Sequence, residues 1–364
     1  MSSCWGNNIK ISVFGQSHSP AIGVVIDGLP AGFHIDMENL DAFMQRRAPG
    51  QSGLTTPRKE ADTVEFISGI INGKTCGAPL CAMIKNTNVR PGDYSEISDT
   101  PRPGHADFTA QAKFHGFQDL SGGGHFSGRL TAPLCVAGGI CLQILDFKGI
   151  HIGAHIERIA DVSDQRFDPA FVSAIDLQKL SYEPLTVIDP AIGEAMAERI
   201  KKAGEDGDSV GGVIECAVIG LPEGIGDPMF DGMENRIASA AFAIPGIKGI
   251  EFGNGFDCAS MRGSENNDSF ITDGDKIITK TNNHGGILGG ITSGMPLIFR
   301  VAVKPTPSIS ITQKTVSFSD NKETDLNIHG RHDPCIVPRA VPCVEAIAAL
   351  TVYDAWLSSK NSCI

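Results

Sequence analysis

Leu130-Thr131-Ala132-Pro133-Leu134-Cys135-Val136-Ala137-Gly138-Gly139-Ile140-Cys141-Leu142-Gln143-Ile144-Leu145 is apolar around its whole circumference, with small residues at Ala132, Ala137, Gly138 and Gly139. A helix without a polar face is buried, and small side chains let neighbouring backbones approach it closely. The stretch therefore predicts a central helix over residues 130–145. Residues 339–356 have the same character, with Val344, Ile347, Ala348 and Leu350 interrupted by few charges. Together they predict two helices packed inside the molecule.

Around this pair, residues 9–14 and 22–26 read as short strands, and the loop between them places His18 just beyond a strand end. Asp36 is a candidate N-cap for a helix with Leu40, Phe43 and Met44 on one face; Pro49-Gly50 closes it after Arg46 and Arg47. Further strands are expected at residues 64–67, 81–84, 211–219 and 297–303, and helices at 192–202 and 235–243. The alternation is irregular, without regular βαβ units. Helix-then-strand patterning in each half hints at an internal duplication, although no sequence repeat accompanies it. The polar segment 317–327 reads as a mobile loop.

The 364 residues are 41% hydrophobic and 20% charged, the balance of a globular protein with a sizeable core. Thirty basic residues against 42 acidic ones give a net charge of -12, which argues against nucleic acid or an anionic membrane as partner. An anionic substrate would need a local basic cluster. The ten cysteines show no CxxC spacing, and most lie in apolar runs, so they read as core thiols in a reducing compartment. No apolar run reaches the roughly 18 residues of a membrane span, and no leader pattern precedes the first strand. The expected location is the cytoplasm.

Short polar segments interrupt this apolar background: Gly15-Gln16-Ser17-His18-Ser19, Arg102-Pro103-Gly104-His105-Ala106-Asp107 and Gly330-Arg331-His332-Asp333-Pro334. Histidine exchanges protons near neutral pH, and arginine forks bind phosphate and carboxylate. Glycine runs lie between them, Gly122-Gly123-Gly124 and Gly285-Gly286-Ile287-Leu288-Gly289-Gly290. In this order, over residues 6–355, the segments resemble those of the chorismate synthase family.

That resemblance implies an α+β fold, a single-domain β-α-β sandwich over residues 1–364 with central helices layered between antiparallel sheets. It implies the trans-1,4 elimination of phosphate from 5-enolpyruvylshikimate 3-phosphate, with reduced FMN as cofactor and a homotetrameric assembly. His18 matches the histidine that protonates the departing phosphate, and His105 the one that faces the flavin N1/C2 carbonyl edge. Asp333 matches the carboxylate that helps remove a proton from flavin N5. Arg46, Arg47, Arg129, Arg331 and Arg339 all stand in motif segments and read as a clamp for an anionic small molecule. Flavin contacts carry over to His125, Phe126, Ser127, Pro245, Gly246, Gly289, Lys304, Pro305, Thr306, Pro307, Ser308 and Arg331. A Rossmann fingerprint is absent.

Simpler roles compete at several positions. Asp107 is expected to cap the following helix rather than orient His105. Asp333 can pair with Arg331. His151 and His155, spaced i,i+4, lie in a stretch that alternates like a strand and read as structural, not as metal ligands.

The chain also departs from the family pattern. The usual three arginines before Pro-Gly are here Arg46-Arg47-Ala48, and Gly53 stands where many members carry arginine. His125-Phe126-Ser127-Gly128-Arg129 replaces the usual Arg-Ser-Ser-Ala-Arg, so Phe126 puts a ring where a hydroxyl is common. With fewer arginines, no intrinsic NADPH-driven flavin reduction is expected, and an external source must supply reduced flavin. Two other readings fit the same residues: a flavin-dependent oxidoreductase acting on another anionic substrate, and a non-catalytic flavin or phosphate binder.

Overall fold

The computed structural model describes residues 3–50, 62–87, 99–183, 185–328 and 333–360. Its centre is the predicted helix pair, α3 (Thr131–Asp146) and α8 (Val337–Lys360), packed against each other. Their contact depends on the small residues: a Cβ on Gly138 would stand 2.3 Å from the Ala346 Cβ, and one on Gly139 2.7 Å from a Leu40 methyl. Leu40 belongs to α1 (Met37–Arg47), which Asp36 caps by accepting from the Asn39 amide. Buried helix packing at native density leaves no room for such added atoms.

Two five-stranded antiparallel sheets enclose these helices. One runs in the order Cys4–Trp5, Lys10–Gly15, Ala21–Asp27, Leu80–Lys85, Glu65–Ser68, and α3 packs on its central strands. The other runs Ile247–Phe252, Leu297–Val303, Gly212–Ile219, His151–Ile159, Val162–Ser163, and α8 packs on its centre. The architecture is the expected α+β sandwich with helices between antiparallel sheets. Residues 4–146 supply the first sheet and α3, and residues 151–360 the second sheet and α8. A contiguous apolar cluster joins Ile22, Val24 and Ile26 of the first sheet, through both helices, to Ile156, Ile214 and Phe299 of the second. On the far face of the second sheet, α4 (Ala174–Tyr182) covers a smaller cluster that includes Phe167, Leu177 and Ile298.

Three readings need correction. Residues 317–327 are not an isolated loop: Gln313–Ser317 pairs with Lys322–Leu326 in a hairpin. Both of its faces carry polar residues, so its strands lack the alternation that marks a half-buried sheet. It is anchored where Asp99 accepts from the Ser317 hydroxyl at 2.6 Å and Phe318 stacks on Phe108 at 6.4 Å. Second, Gly128–Asp146 and Val337–Lys360 are long and apolar enough to cross a membrane, but most of each is buried inside the protein. Third, the thiols in apolar runs are core residues, as at Cys135, Cys141, Cys216, Cys335 and Cys343, whereas Cys4, Cys76 and Cys258 are exposed.

His151 and His155 do lie on a strand. His155 is fully buried and bonds to Glu215 at 2.9 Å, opposite it in the sheet register. The row continues to Arg300 and Glu251 on the next two strands. This polar ladder lies across the sheet, under Phe167, and answers why two charged residues can be buried there.

Candidate active site

The turn after strand Lys10–Gly15 is held by Ser19, whose hydroxyl receives the Gln16 amide at 2.9 Å and donates to Ala21 O at 2.7 Å. It presents Ser17 and His18 to the Gly122–Gly124 loop. Ser17 N donates to Gly124 O at 3.1 Å, and His18 Nδ1 lies 3.2 Å from Ser121 O. On the other side of the same loop stands His105. A Cβ on Gly122 would lie 2.3 Å from His18 Cε1, and one on Gly123 3.2 Å from His105 Cε1 and Nε2. Two histidines far apart in sequence thus rest on consecutive glycines. Both glycines have left-handed backbones, φ 61° and 92°, a conformation that glycine adopts without cost.

The helix after His105, α2 (Asp107–Phe114), is not capped by Asp107: Ala106 is the N-cap residue and has no capping side chain. The Asp107 carboxylate turns instead to Arg102 and His105, because three Arg102 donors and the ring compete successfully for its oxygens. Burial opposes its ionisation, but the hydrogen bonds from Arg102 and His105 prevail and hold the carboxyl well below the usual range. A carboxyl with a lower pKa folded than unfolded stabilises the fold above roughly pH 4, and that stability is lost as the pH falls below it. Denaturant midpoints followed into acid are therefore expected to fall more steeply for the natural sequence than for Asp107→Asn, which has no such proton to bind.

The arginines separate into two groups. Arg47 donates from Nε to Thr131 Oγ1 at 3.1 Å, from Nη1 to Asp62 at 2.5 Å and from Nη2 to Gly128 O at 3.3 Å. Arg129 donates to the other oxygen of Asp62 and, at 3.1 Å, to Asn86 Oδ1. Asn86 in turn donates to Ser19 O at 2.7 Å, tying the arginines to the His18 turn. Arg339 donates to Arg47 O at 3.2 Å and pairs with Asp333 at 2.6 Å. Arg46 stands apart from these: it forms a two-pronged bond to Glu345 of α8, which also accepts from the Ala154 amide. The expected partner of Asp333, Arg331, lies outside the described residues, as does Gly53.

The flavin candidates also divide. Lys304 donates to Gly104 O, Ser308 Oγ lies 3.5 Å from Arg102 Nη1, and a Cβ on Gly104 would meet Pro307 at 3.5 Å, so residues 304–308 pack against the His105 turn. Lys304 N bonds to Gly246 O at 2.9 Å, which brings in Pro245 and Gly246; Pro305 and Thr306 complete the segment. His125 reaches Ser3 Oγ at 3.0 Å, Phe126 packs on Phe114 at 6.2 Å between ring centres, and Ser127 receives the Arg129 amide. Gly289, in a separate turn whose neighbour Gly290 abuts Asp227 and Gly232, contacts neither histidine. Asp62, Asn86, Arg102 and Glu345 were not singled out as site residues from sequence. Only Arg102 had a signal there, as the first residue of the Arg-Pro-Gly-His segment.

Paired histidines on a glycine loop, beside a network of buried guanidinium groups, are the equipment of an enzyme. The chorismate synthase family profile matches residues 9–357. The chorismate synthase of Lancefieldella parvula is 44% identical over 375 residues, spanning 99% of this chain and 98% of its own. That of Thermococcus kodakarensis is 44% identical over 355 residues, covering 98% of each chain, and that of Korarchaeum cryptofilum 42% over 361 residues, covering 99% of each. A chorismate synthase crystal structure superposes with a TM-score of 0.77 at 27% identity, over 97% of this chain and 93% of that one. The chain belongs to the chorismate synthase family, lyases of the shikimate pathway.

Proposed function

We propose that this protein eliminates phosphate from 5-enolpyruvylshikimate 3-phosphate to give chorismate, as one catalytic domain in a cytoplasmic homotetramer that receives reduced FMN from an external source. The observation that carries the reading is the placement of His18 and His105 on consecutive glycines of one loop, with Arg129 tied to the His18 turn through Asn86. The reaction breaks a poorly acidic C–H bond and a phosphate ester, so it needs cations for the leaving group and an acid close by. Arg47, Arg129 and Arg339 supply the positive charge, and Arg46 and Arg331 are the remaining members of the proposed clamp. His18 delivers a proton to the departing phosphate, and His105 would exchange one with the bound cofactor. Asp333, fixed by Arg339, would serve as a proton acceptor for the bound cofactor.

The residues fit a flavin. Among the described residues, Thr306 Oγ1 is buried with no hydrogen-bond partner, a donor available to a bound group. Beside it, burial and the Lys248 ammonium lower the Lys304 pKa, a strain that a bound anion relieves. When bound, reduced FMN supplies the electron-rich partner that the elimination needs. Pro245, Gly246, Gly289, Arg331, residues 304–308 and the His125-Phe126-Ser127 segment would hold it.

The test is anaerobic: purified protein, dithionite-reduced FMN and the substrate, following phosphate release and chorismate absorbance together. The expected result is equal phosphate and chorismate with the flavin still reduced at the end. Flavin oxidised in step with product would make the protein an oxidoreductase, and flavin binding without product would make it a binder. NADPH with oxidised FMN, and no other reductant, is expected to give no turnover.

A further inference from the structure

We propose that Asp107, locked in place by Arg102, is a positioning residue that keeps the His105 proton on Nδ1 and turns a bare Nε2 toward the Gly122–Gly124 loop in the neutral ring. The inference rests on the proposed function for its kinetic consequence, but not for its geometry.

His105 Nδ1 lies 2.6 Å from Asp107 Oδ1 and 3.0 Å from Arg102 Nη2. A carboxylate only accepts and a guanidinium only donates, so the two neighbours ask opposite things of the same nitrogen. The carboxylate is closer and charged, and Arg102 Nη2 has another acceptor, Asp107 Oδ1 itself, at 2.8 Å. The Nδ1 proton therefore points at Asp107. Arg102 gives two further bonds to the second oxygen, from Nε at 2.7 Å and from its backbone amide at 3.0 Å, so the carboxylate cannot rotate. Arg102 and Asp107 side chains are 6% and 4% exposed, against 16% for the ring. What remains open is Nε2, which with Cε1 faces the backbone of Gly123. A ring placed this way accepts a proton at Nε2, and the carboxylate behind it supports the imidazolium that then donates it.

Asp107→Asn tests this, because an amide has one accepting oxygen and one donating nitrogen. Arg102 presents three donors, so the oxygen turns to Arg102 and the NH2 group to His105. Nδ1 must then accept, and the proton moves to Nε2. The readout is the ¹⁵N shift pair of His105 in the ligand-free protein, assigned by its disappearance in His105→Gln. The natural sequence is expected to carry Nδ1–H and Asp107→Asn to carry Nε2–H. In the elimination assay, kcat for Asp107→Asn is expected to fall at least tenfold while KM for the substrate stays unchanged. An Nε2–H ring in the natural protein would overturn the inference without any variant having to fold. So would a folded Asp107→Asn protein with the tautomer unaltered, or one with an inverted tautomer and full kcat. Should the natural protein show no elimination at all, the ¹⁵N result still decides the positioning role, and only the proposed function fails.

Discussion

Asp62→Ala is expected to lower the free energy of unfolding by about 3–5 kcal/mol, the usual cost of stripping one partner from a buried ion pair. The Asp62 side chain is fully buried, and the Arg47 and Arg129 side chains that share its two oxygens are 3% and 5% exposed. Each arginine keeps part of its hydrogen bonding, Arg47 to Thr131 and Gly128, Arg129 to Asn86. Removing the carboxylate takes away the anion that these two buried guanidinium groups share. Asp62→Asn retains the shape and one acceptor and is expected to lose less. Guanidinium chloride would mask the effect by screening, so urea is the denaturant to use. A loss under about 1 kcal/mol, the scale of a surface pair, would mean that Asp62 is not the keystone of this network.

What could be read from the sequence was what neighbouring residues decide. The all-round apolar character of α3 and α8, the Asp36 cap and the strand at Leu297–Val303 are local patterns, and each recurs in the structure with ends shifted by a few residues at most. Strand pairing is not local: Gly212–Ile219 lies between His151–Ile159 and Leu297–Val303, and nothing in any of the three announces the others. The His155–Glu215–Arg300–Glu251 row exists only once that register is set. The site divides in the same way. His18 and His105 stand in compact motifs, whereas Asp62 and Asn86 acquire their roles through partners far along the chain, Arg129 above all. Asp107 shows the limit of a local rule. A carboxylate opening a helix is a sound capping signal, yet here Arg102, five residues earlier, offers it more than the helix amides do.

Gly122→Ala is expected to cut kcat roughly 100-fold, the scale on which a displacement of about 1 Å acts in an active site. Two costs combine at this position. The left-handed backbone, φ 61°, strains any residue with a Cβ, and the new atom would lie 2.3 Å from His18 Cε1, 2.5 Å from Nδ1 and 2.8 Å from Ser17 Oγ. Ser17 is anchored by its amide to Gly124 O, so the imidazole is the part that moves. Gly263→Ala, where a Cβ meets nothing within 4 Å, supplies the control for a bare glycine replacement and is expected to leave kcat unchanged. The decisive comparison is a double-mutant cycle with His18→Ala. If Gly122 acts by setting His18, the alanine at 122 costs little once the ring is gone, and the two losses do not add. Full additivity would place the effect elsewhere, at the backbone of the loop or at His105 on the next glycine. The same cycle run with Gly123→Ala and His105→Ala should show the smaller coupling that a 3.2 Å contact implies, since there the ring can yield by a few tenths of an ångström. One loop would then be shown to set both histidines, with the tighter tolerance on the side of His18.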